Sequence, residues 1–169
     1  MLDDAPVLPV ELDDVPVADL LHAVAWPIPP EAELVGVEDD YLRVRHPGKK
    51  KPKYHEVSLR AEGLLQLHAA ALRLEYRLLG TFDEARFTGP PQVADVPLSA
   101  VRAMRVQRAW IGRHRLIVEP RTLTAFAPLP VRVTGPLSLP VRRADRPLAE
   151  ALVAEARYRA AQLAIGELS

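Results

Sequence analysis

The spacing of apolar residues changes several times along this chain, and each change predicts a different element. Residues 1–13 carry Pro6 and Pro9 with little periodicity, so they read as extended or loose. Asp14-Val15-Pro16 reads as a helix start, with Asp as N-cap and Pro in the first turn. Val17, Leu20, Leu21 and Val24 then recur at i, i+3, i+4 and i+7, one apolar stripe on a short helix that Pro27, Pro29 and Pro30 bring to an end. A helix this short is not stable alone and must pack on the body or on a partner. From residue 34 the period falls to two. Leu34, Val35 and Val37, then Leu42 and Val44, flank the turn-forming Glu38-Asp39-Asp40 and predict a hairpin. The stretch from His46 to Lys53, HPGKKKPK, reads as a loop from its Pro and Gly content.

Roughly six further short strands follow. Val57 and Leu59 alternate with polar residues up to a turn at Glu62-Gly63, and Leu65 and Leu67 alternate after it. Leu72, Leu74, Tyr76 and Leu78 give the cleanest two-residue period, before a loop through Gly80, Gly89, Pro90 and Pro91. Val96 and Leu98 lead to Val101, Met104 and Val106; Trp110 to Arg113 makes a turn, and His114 to Glu119 returns. Thr122 to Val133 is mixed and proline-rich, and Leu137, Leu139 and Val141 form a last strand. Asp145 then stands at an N-cap position with Pro147 behind it. Leu148, Leu152, Ala156, Ala160 and Leu163 recur at helical spacing until Gly166, predicting a helix over 145–165. The fold class expected is mainly β (α+β). It is a small, bent antiparallel sheet or partly open barrel over residues 34–169, capped by the C-terminal amphipathic helix, with residues 1–33 as an acidic N-terminal helical arm.

Composition narrows the function classes. A chain of 169 residues can bury a full core without staples, and the absence of cysteine excludes a disulfide framework, thiolate metal ligands and cysteine catalysis. Seventeen prolines favour short elements and stiff loops over a helical bundle. The first residues lack the basic and apolar regions of a secretory signal, and no window reaches the length of a membrane span, so a soluble, cytoplasmic protein is expected. The net charge of zero conceals a split. Residues 1–40 hold 11 carboxylates and no Lys or Arg, whereas residues 41–169 hold all 22 basic residues and 11 acids. A charge of −11 followed by one of +11 fits an arm that docks on its own body, or a body that binds polyanions.

Two local features could carry such binding. Lys49, Lys50, Lys51 and Lys53, the only lysines in the chain, lie within five residues and cannot neutralise one another. They are either a solvated hairpin tip or a seat for a phosphate-bearing anion. In the hairpin 102–115, Arg102, Arg105, Arg108, Arg113, His114 and Arg115 surround Trp110, with Arg108, Arg113 and Arg115 as the candidate anion contacts; basic residues interleaved with an aromatic suit base stacking or a membrane interface, and equally the wet face of a strand with Trp110 on the core rim. The five histidines have no metal-ligand spacing, and no nucleophile elbow, Walker loop or dinucleotide fingerprint occurs. No catalytic residue, metal or cofactor is expected, and the chain is not read as an enzyme.

Residues 95–119, DVPLSAVRAMRVQRAWIGRHRLIVE, followed by GPLSLPVRRADRPLAEALV at 135–153, resemble the second half of a bacterial pleckstrin-homology-like (PH-like) domain. The resemblance lies in a strand ending Pro97-Leu98-Ser99, a strand led by Val101, a tip with Gly112, and a last strand running through Arg142 and Arg143 into Asp145-Arg146 at the helix start. It implies a non-catalytic binding or scaffolding module. Members bind phosphoinositide headgroups, proteins or peptides, some bacterial ones self-assemble, and headgroup binding falls to the basic loop between the first two strands. If 41–45 and 55–60 are those strands, the lysines occupy that loop; if the barrel begins at 55, they do not. The function expected is therefore protein–protein interaction or self-association. The alternative is binding of an anionic ligand, a phospholipid headgroup or nucleic acid, by the basic body under the influence of the acidic arm.

Overall fold

The computed structural model describes residues 5–13, 15–20, 26–38, 40–108 and 113–168. The chain is mainly β, with nine strands in two antiparallel sheets and a long C-terminal helix among the described residues. The elements run β1 (Val7–Leu12), α1 (Val17–Leu20), β2 (Glu33–Glu38), β3 (Tyr41–Arg45), β4 (Lys53–His68), β5 (Ala71–Phe82), β6 (Ala85–Pro97), β7 (Val101–Arg108), β8 (His114–Pro120), β9 (Leu137–Val141) and α2 (Arg146–Leu168). Single 3₁₀ turns, Leu98–Ala100 and Arg143–Asp145, precede β7 and α2.

The sixteen-residue strand β4 organises the larger sheet. One of its edges pairs with β5 from Val57↔Phe82 to His68↔Ala71. The other edge is shared: its first half pairs with β3, from Val44↔Lys53 to Tyr41↔Glu56, and its second half with β1, from Leu12↔Ala61 to Val7↔Gln66. β2 extends the sheet beyond β3, and β6 forms the opposite edge. The smaller sheet is β7-β8-β9. β1 lies against β9 with no ladder between them, so the two sheets do not close into a continuous barrel.

Residues 7–12, assigned by the sequence pattern to an arm outside the body, are a core strand. Leu8, Val10 and Leu12 alternate into the interior, and Leu8 has no exposed surface. Pro6 and Pro9 disguise a two-residue period that was present all along, because Pro9 faces away from the core. The segment remains attached beyond β1. Val15 and Val17 are buried, Asp19 pairs with Arg132, and Trp26 packs edge-on against Phe87 at 4.9 Å between centroids. The predicted arm helix is described only over Val17–Leu20; its N-cap Asp14 and its stripe residues Leu21 and Val24 lie outside the described residues.

Three predicted breaks are continuous strand. Gly63 is not a turn. A side chain there would stand 2.1 Å from the carbonyl oxygen of Glu75, so glycine permits β5 to approach β4. Gly80 likewise accommodates the ring of Phe87 across the strand pair. Pro90 and Pro91 lie in β6, an edge strand whose outer side needs no N–H donors, next to an irregularity in register between Arg77 and Leu79.

The core fills the space between the sheets. Phe126 and Leu129, from the turn-rich segment after β8, join Val10, Leu65, Leu74 and Leu139 there. α2 lies across β7 and touches β1 and β4. Its buried face is Ala149, Leu152, Val153 and Ala156, spaced i, i+3, i+4 and i+7. This corrects the predicted stripe: Leu152 and Ala156 are buried, while Leu148, Ala160 and Leu163 are exposed. Arg157 donates to the Met104 carbonyl (2.9 Å) and Arg159 to that of Ala69 (3.2 Å), fixing the helix where its packing ends. The helix then runs on through Gly166, where the pattern predicts its end. No helix among the described residues is long and apolar enough to cross a membrane.

Candidate functional site

The β3–β4 hairpin brings together residues that have no motif spacing in sequence. Leu42 opposes His55, and Val44 opposes Lys53, so side chains on the core side of the hairpin include Leu42, Val44 and His55. His46 follows β3 immediately, and its Nε2 lies 2.9 Å from Nε2 of His55. On the other side of the His55 ring, Nδ1 bonds Oδ2 of Asp83. Asp83 also accepts from the backbone N–H of Glu56 through Oδ1 (3.0 Å), and its own N–H donates to the Glu56 carbonyl (2.8 Å).

Asp83 and Glu84 form the two-residue turn between β5 and β6, both with positive φ (46° and 71°). That conformation belongs to hairpin turns that normally use Asn or Gly. Here the three hydrogen bonds of Asp83 compensate for the backbone preference. Beneath the site, Phe82 stacks on His55 with centroids 4.7 Å apart and the planes 21° from parallel, and Trp26 packs on Phe82 in turn. His55 is thus buried between an aromatic floor, a carboxylate and a second imidazole.

The direction of the hydrogen bonds at Asp83 follows from donor and acceptor capacity. The hydrogen bond from His55 and the Glu56 backbone N–H outweigh partial desolvation and hold the Asp83 carboxyl below the usual carboxylate range. An ionised carboxylate only accepts, so His55 carries its proton on Nδ1. Between the two facing Nε2 atoms, one imidazole donates and the other accepts.

Above this pair opens a concavity of about 640 Å³ lined by His46, Lys49, Lys50, Lys51, Lys53 and His55. The four lysines are exposed. Among the described residues none of them forms an ion pair, although the charge of Lys53 reaches Asp83. The sequence expectation of a lysine loop between strands is met in position: residues 46–52 connect β3 to β4, and Lys53 is the first residue of β4.

The second predicted cluster is placed elsewhere. Arg113 and Arg115 line a separate cleft of about 620 Å³ beside the open seam between β1 and β9, together with Glu11, Glu62 and Arg142. Arg115 is engaged by Ser138 Oγ at 2.5 Å, and Arg108 is exposed at the end of β7, opposite His114. Trp110 lies outside the described residues. Lower on the same hairpin, Arg102 and Arg105 both donate to Glu119, at 2.7 and 2.6 Å, and together hold its carboxyl below the usual range. The lysines and the predicted arginines therefore do not share a site.

Sequence reading missed His46, His55 and Asp83 as a unit, because they are nine and 28 residues apart and meet only through strand register and a turn. Among the described residues, no group of three or more His, Asp or Glu is placed to hold a metal ion. No protein-family model matches the chain, and neither does any curated protein or any solved structure.

Proposed function

We propose that this chain is a non-catalytic, PH-like binding module that takes a phosphate-bearing anion on the β3–β4 loop. The strand order supports the PH-like part of the reading. Four strands of the larger sheet (β1, β4, β5, β6), then three of the smaller, then a helix across them, follow the order expected of such a domain, with α1, β2 and β3 inserted between its first two strands. The lysines lie in the β3–β4 connection, inside the long segment that joins β1 to β4, rather than in a short loop directly between the first two strands.

The observation that carries the ligand class is the unopposed charge. Lys49, Lys50 and Lys51 surround a two-histidine floor and have no carboxylate within ion-pair distance among the described residues. Ammonium groups held close together repel one another, and a polyvalent anion relieves that repulsion. Near an anionic bilayer each would contribute about 1 kcal/mol, screened by salt. The exposed Tyr41–Tyr54 pair on the outer face of the same hairpin adds aromatic surface of the kind that sits at a membrane boundary or stacks on bases.

The test uses the full chain at low salt with three probes. These are phosphatidylcholine vesicles, phosphatidylcholine vesicles doped with phosphatidylserine, and a single-stranded oligodeoxynucleotide. Binding to a phosphate-bearing anionic probe, lost in K49A/K50A/K51A, supports the proposal, and the probe that binds identifies the source of the anion. No binding to either anionic probe overturns it.

A second reading, association with a protein partner or another copy of the chain, is favoured by the distal part of α2. Tyr158 is 60% and Leu163 40% exposed on a helix that continues past its packed turns. Size measured across a wide concentration range tests self-association, and a monomer throughout removes that version.

A further inference from the structure

We infer that the cleft at the open seam between β1 and β9 is a second binding site, built for a small organic anion with an apolar body and independent of the lysine loop. The seam stays open because of what its two strands lack. Among the described residues, β1 forms a ladder with β4 and β9 with β8, so each keeps a free edge toward the other. Pro9 stands within β1, opposite Leu64, and Pro140 within β9, opposite Arg115. Proline has no N–H, and in a sheet it belongs where no neighbouring strand needs that donor, which places both residues on the free edges. Each removes a donor that a β1–β9 ladder would use. The same lack weighs against a peptide added as a further strand, since strand addition depends on main-chain hydrogen bonds. An occupant of the seam is therefore recognised by side chains.

Those side chains are divided unevenly between the two walls. The wall formed by β8, β9 and the residues flanking them carries Arg113, His114, Arg115 and Arg142, and no carboxylate. The opposite wall, from the larger sheet, carries Glu11, Glu62 and Arg77 around the apolar Pro9, Leu64 and Leu79. Some of these charges are already engaged: Arg142 pairs with Asp145 at 2.7 Å, Glu62 with Arg60 at 3.2 Å, and Arg115 is held by Ser138. Arg77 and Arg113 are exposed and form no ion pair with another described residue. His114 is the one buried polar residue of the cleft, 6% exposed, and its ring forms no hydrogen bond with a described residue. The fully enclosed polar side-chain atoms without a partner belong to Trp26 and Arg43, so the ring nitrogens of His114 reach the open cleft. Imidazole presents at least one N–H whatever its tautomer. An anion held between His114 and Arg113 satisfies that donor, and the guanidinium fork suits the paired oxygens of a carboxylate or a phosphate. Glu11 and Glu62 repel negative charge from the other wall, which disfavours a polyanion and leaves the apolar patch to the ligand's body. A cleft of about 620 Å³ has the size of sites that take small organic molecules.

The test titrates the full chain, labelled with nitrogen-15, with probes that share one alkyl chain: octanoate, octyl phosphate, octanol and octyltrimethylammonium. Saturable shifts are expected in the backbone amides of residues 10–11, 62–64, 113–115 and 141–142 and in the His114 side chain, with octanoate or octyl phosphate but not with octanol or the cation. The anionic probe that binds more tightly identifies the head group as carboxylate or phosphate. R77Q/R113Q is expected to weaken that binding by about tenfold or more, and K49A/K50A/K51A to change it by less than about twofold. Because Arg77 and Arg113 are exposed and unpaired among the described residues, the urea midpoint of R77Q/R113Q is expected to match wild type, which separates loss of the site from loss of the fold. The inference is overturned if neither anionic probe gives saturable shifts at the cleft, if octanol shifts the same amides equally, or if R77Q/R113Q binds as wild type does. Shifts confined to residues 46–53 overturn the cleft and support the lysine loop. Cleft binding in a protein that ignores both the anionic vesicles and the oligodeoxynucleotide overturns the loop reading alone.

Discussion

The hairpins β3–β4 and β7–β8 are both rich in cations, yet the lysines of the first and Arg102 and Arg105 of the second are in opposite conditions. On β7–β8, Arg102 and Arg105 converge on the Glu119 carboxylate, and Arg115 is held by Ser138. On β3–β4, the lysines crowd a tip where, among the described residues, no carboxylate pairs with them. Arg102 and Arg105 on one hairpin, like Arg43 and Arg45 on β3 (paired with Glu38 and Glu33), are neutralised in cross-strand structure, whereas the lysines of the β3–β4 connection are left available. A count of basic residues does not separate the two, because the separation depends on what the strand register places opposite each cation.

The largest effect tests whether both hairpins share one core. Leu42 and Leu116 lie beneath the lysine and arginine hairpins and are fully buried. Truncating either to alanine is expected to cost about 2–5 kcal/mol in denaturant unfolding. A cost below about 1 kcal/mol for Leu42→Ala would make the lysine hairpin an appendage without a fixed seat. Next in size, K49A/K50A/K51A is expected to weaken binding to phosphatidylserine-doped vesicles by about 3 kcal/mol, roughly a hundredfold. R102A/R105A should change it by less than about threefold.

A smaller effect sharpens the comparison from the other side. Glu119→Gln removes the charge that neutralises Arg102 and Arg105, so vesicle binding is expected to rise by a few-fold, about 1 kcal/mol at most. No rise would show that pairing is not what silences those arginines. The smallest expected effect is in acid. Asp83, Asp95 and Glu119 are all held below their ordinary values, by His55, Arg73 and the Arg105–Arg102 pair respectively. Their folded forms bind a proton less readily than their unfolded forms. Their stabilisation is therefore complete above the unfolded value, about 4, and is lost as pH falls through the depressed folded values. A urea-midpoint profile below about pH 5 should be shallower in E119Q than in wild type.

Much of the architecture was legible because burial writes a period into the sequence. The alternation at Leu72, Leu74, Tyr76 and Leu78, the β7–β8 return and the C-terminal helix all appear where the pattern predicts them. Errors arose where a residue type has two physical uses. Gly63 and Gly80 suggest turns but serve close approach between strands, and Pro90 and Pro91 suggest a loop but sit on an edge. Pro6 and Pro9 masked the β1 alternation, which placed a core strand in the supposed arm. The lysine loop was visible as composition. Its floor was not, since nothing local in His46, His55 or Asp83 signals that register and a strained two-residue turn will align them.

The most direct test of free against paired charge is the salt dependence of oligodeoxynucleotide binding, which counts the cations that meet phosphate. Each contact with a single strand contributes about 0.7 to the slope of log affinity against log salt. The account predicts that K49A/K50A/K51A lowers the slope by about two while R102A/R105A leaves it unchanged. An equal loss of slope in the two variants, or a loss confined to R102A/R105A, would contradict it.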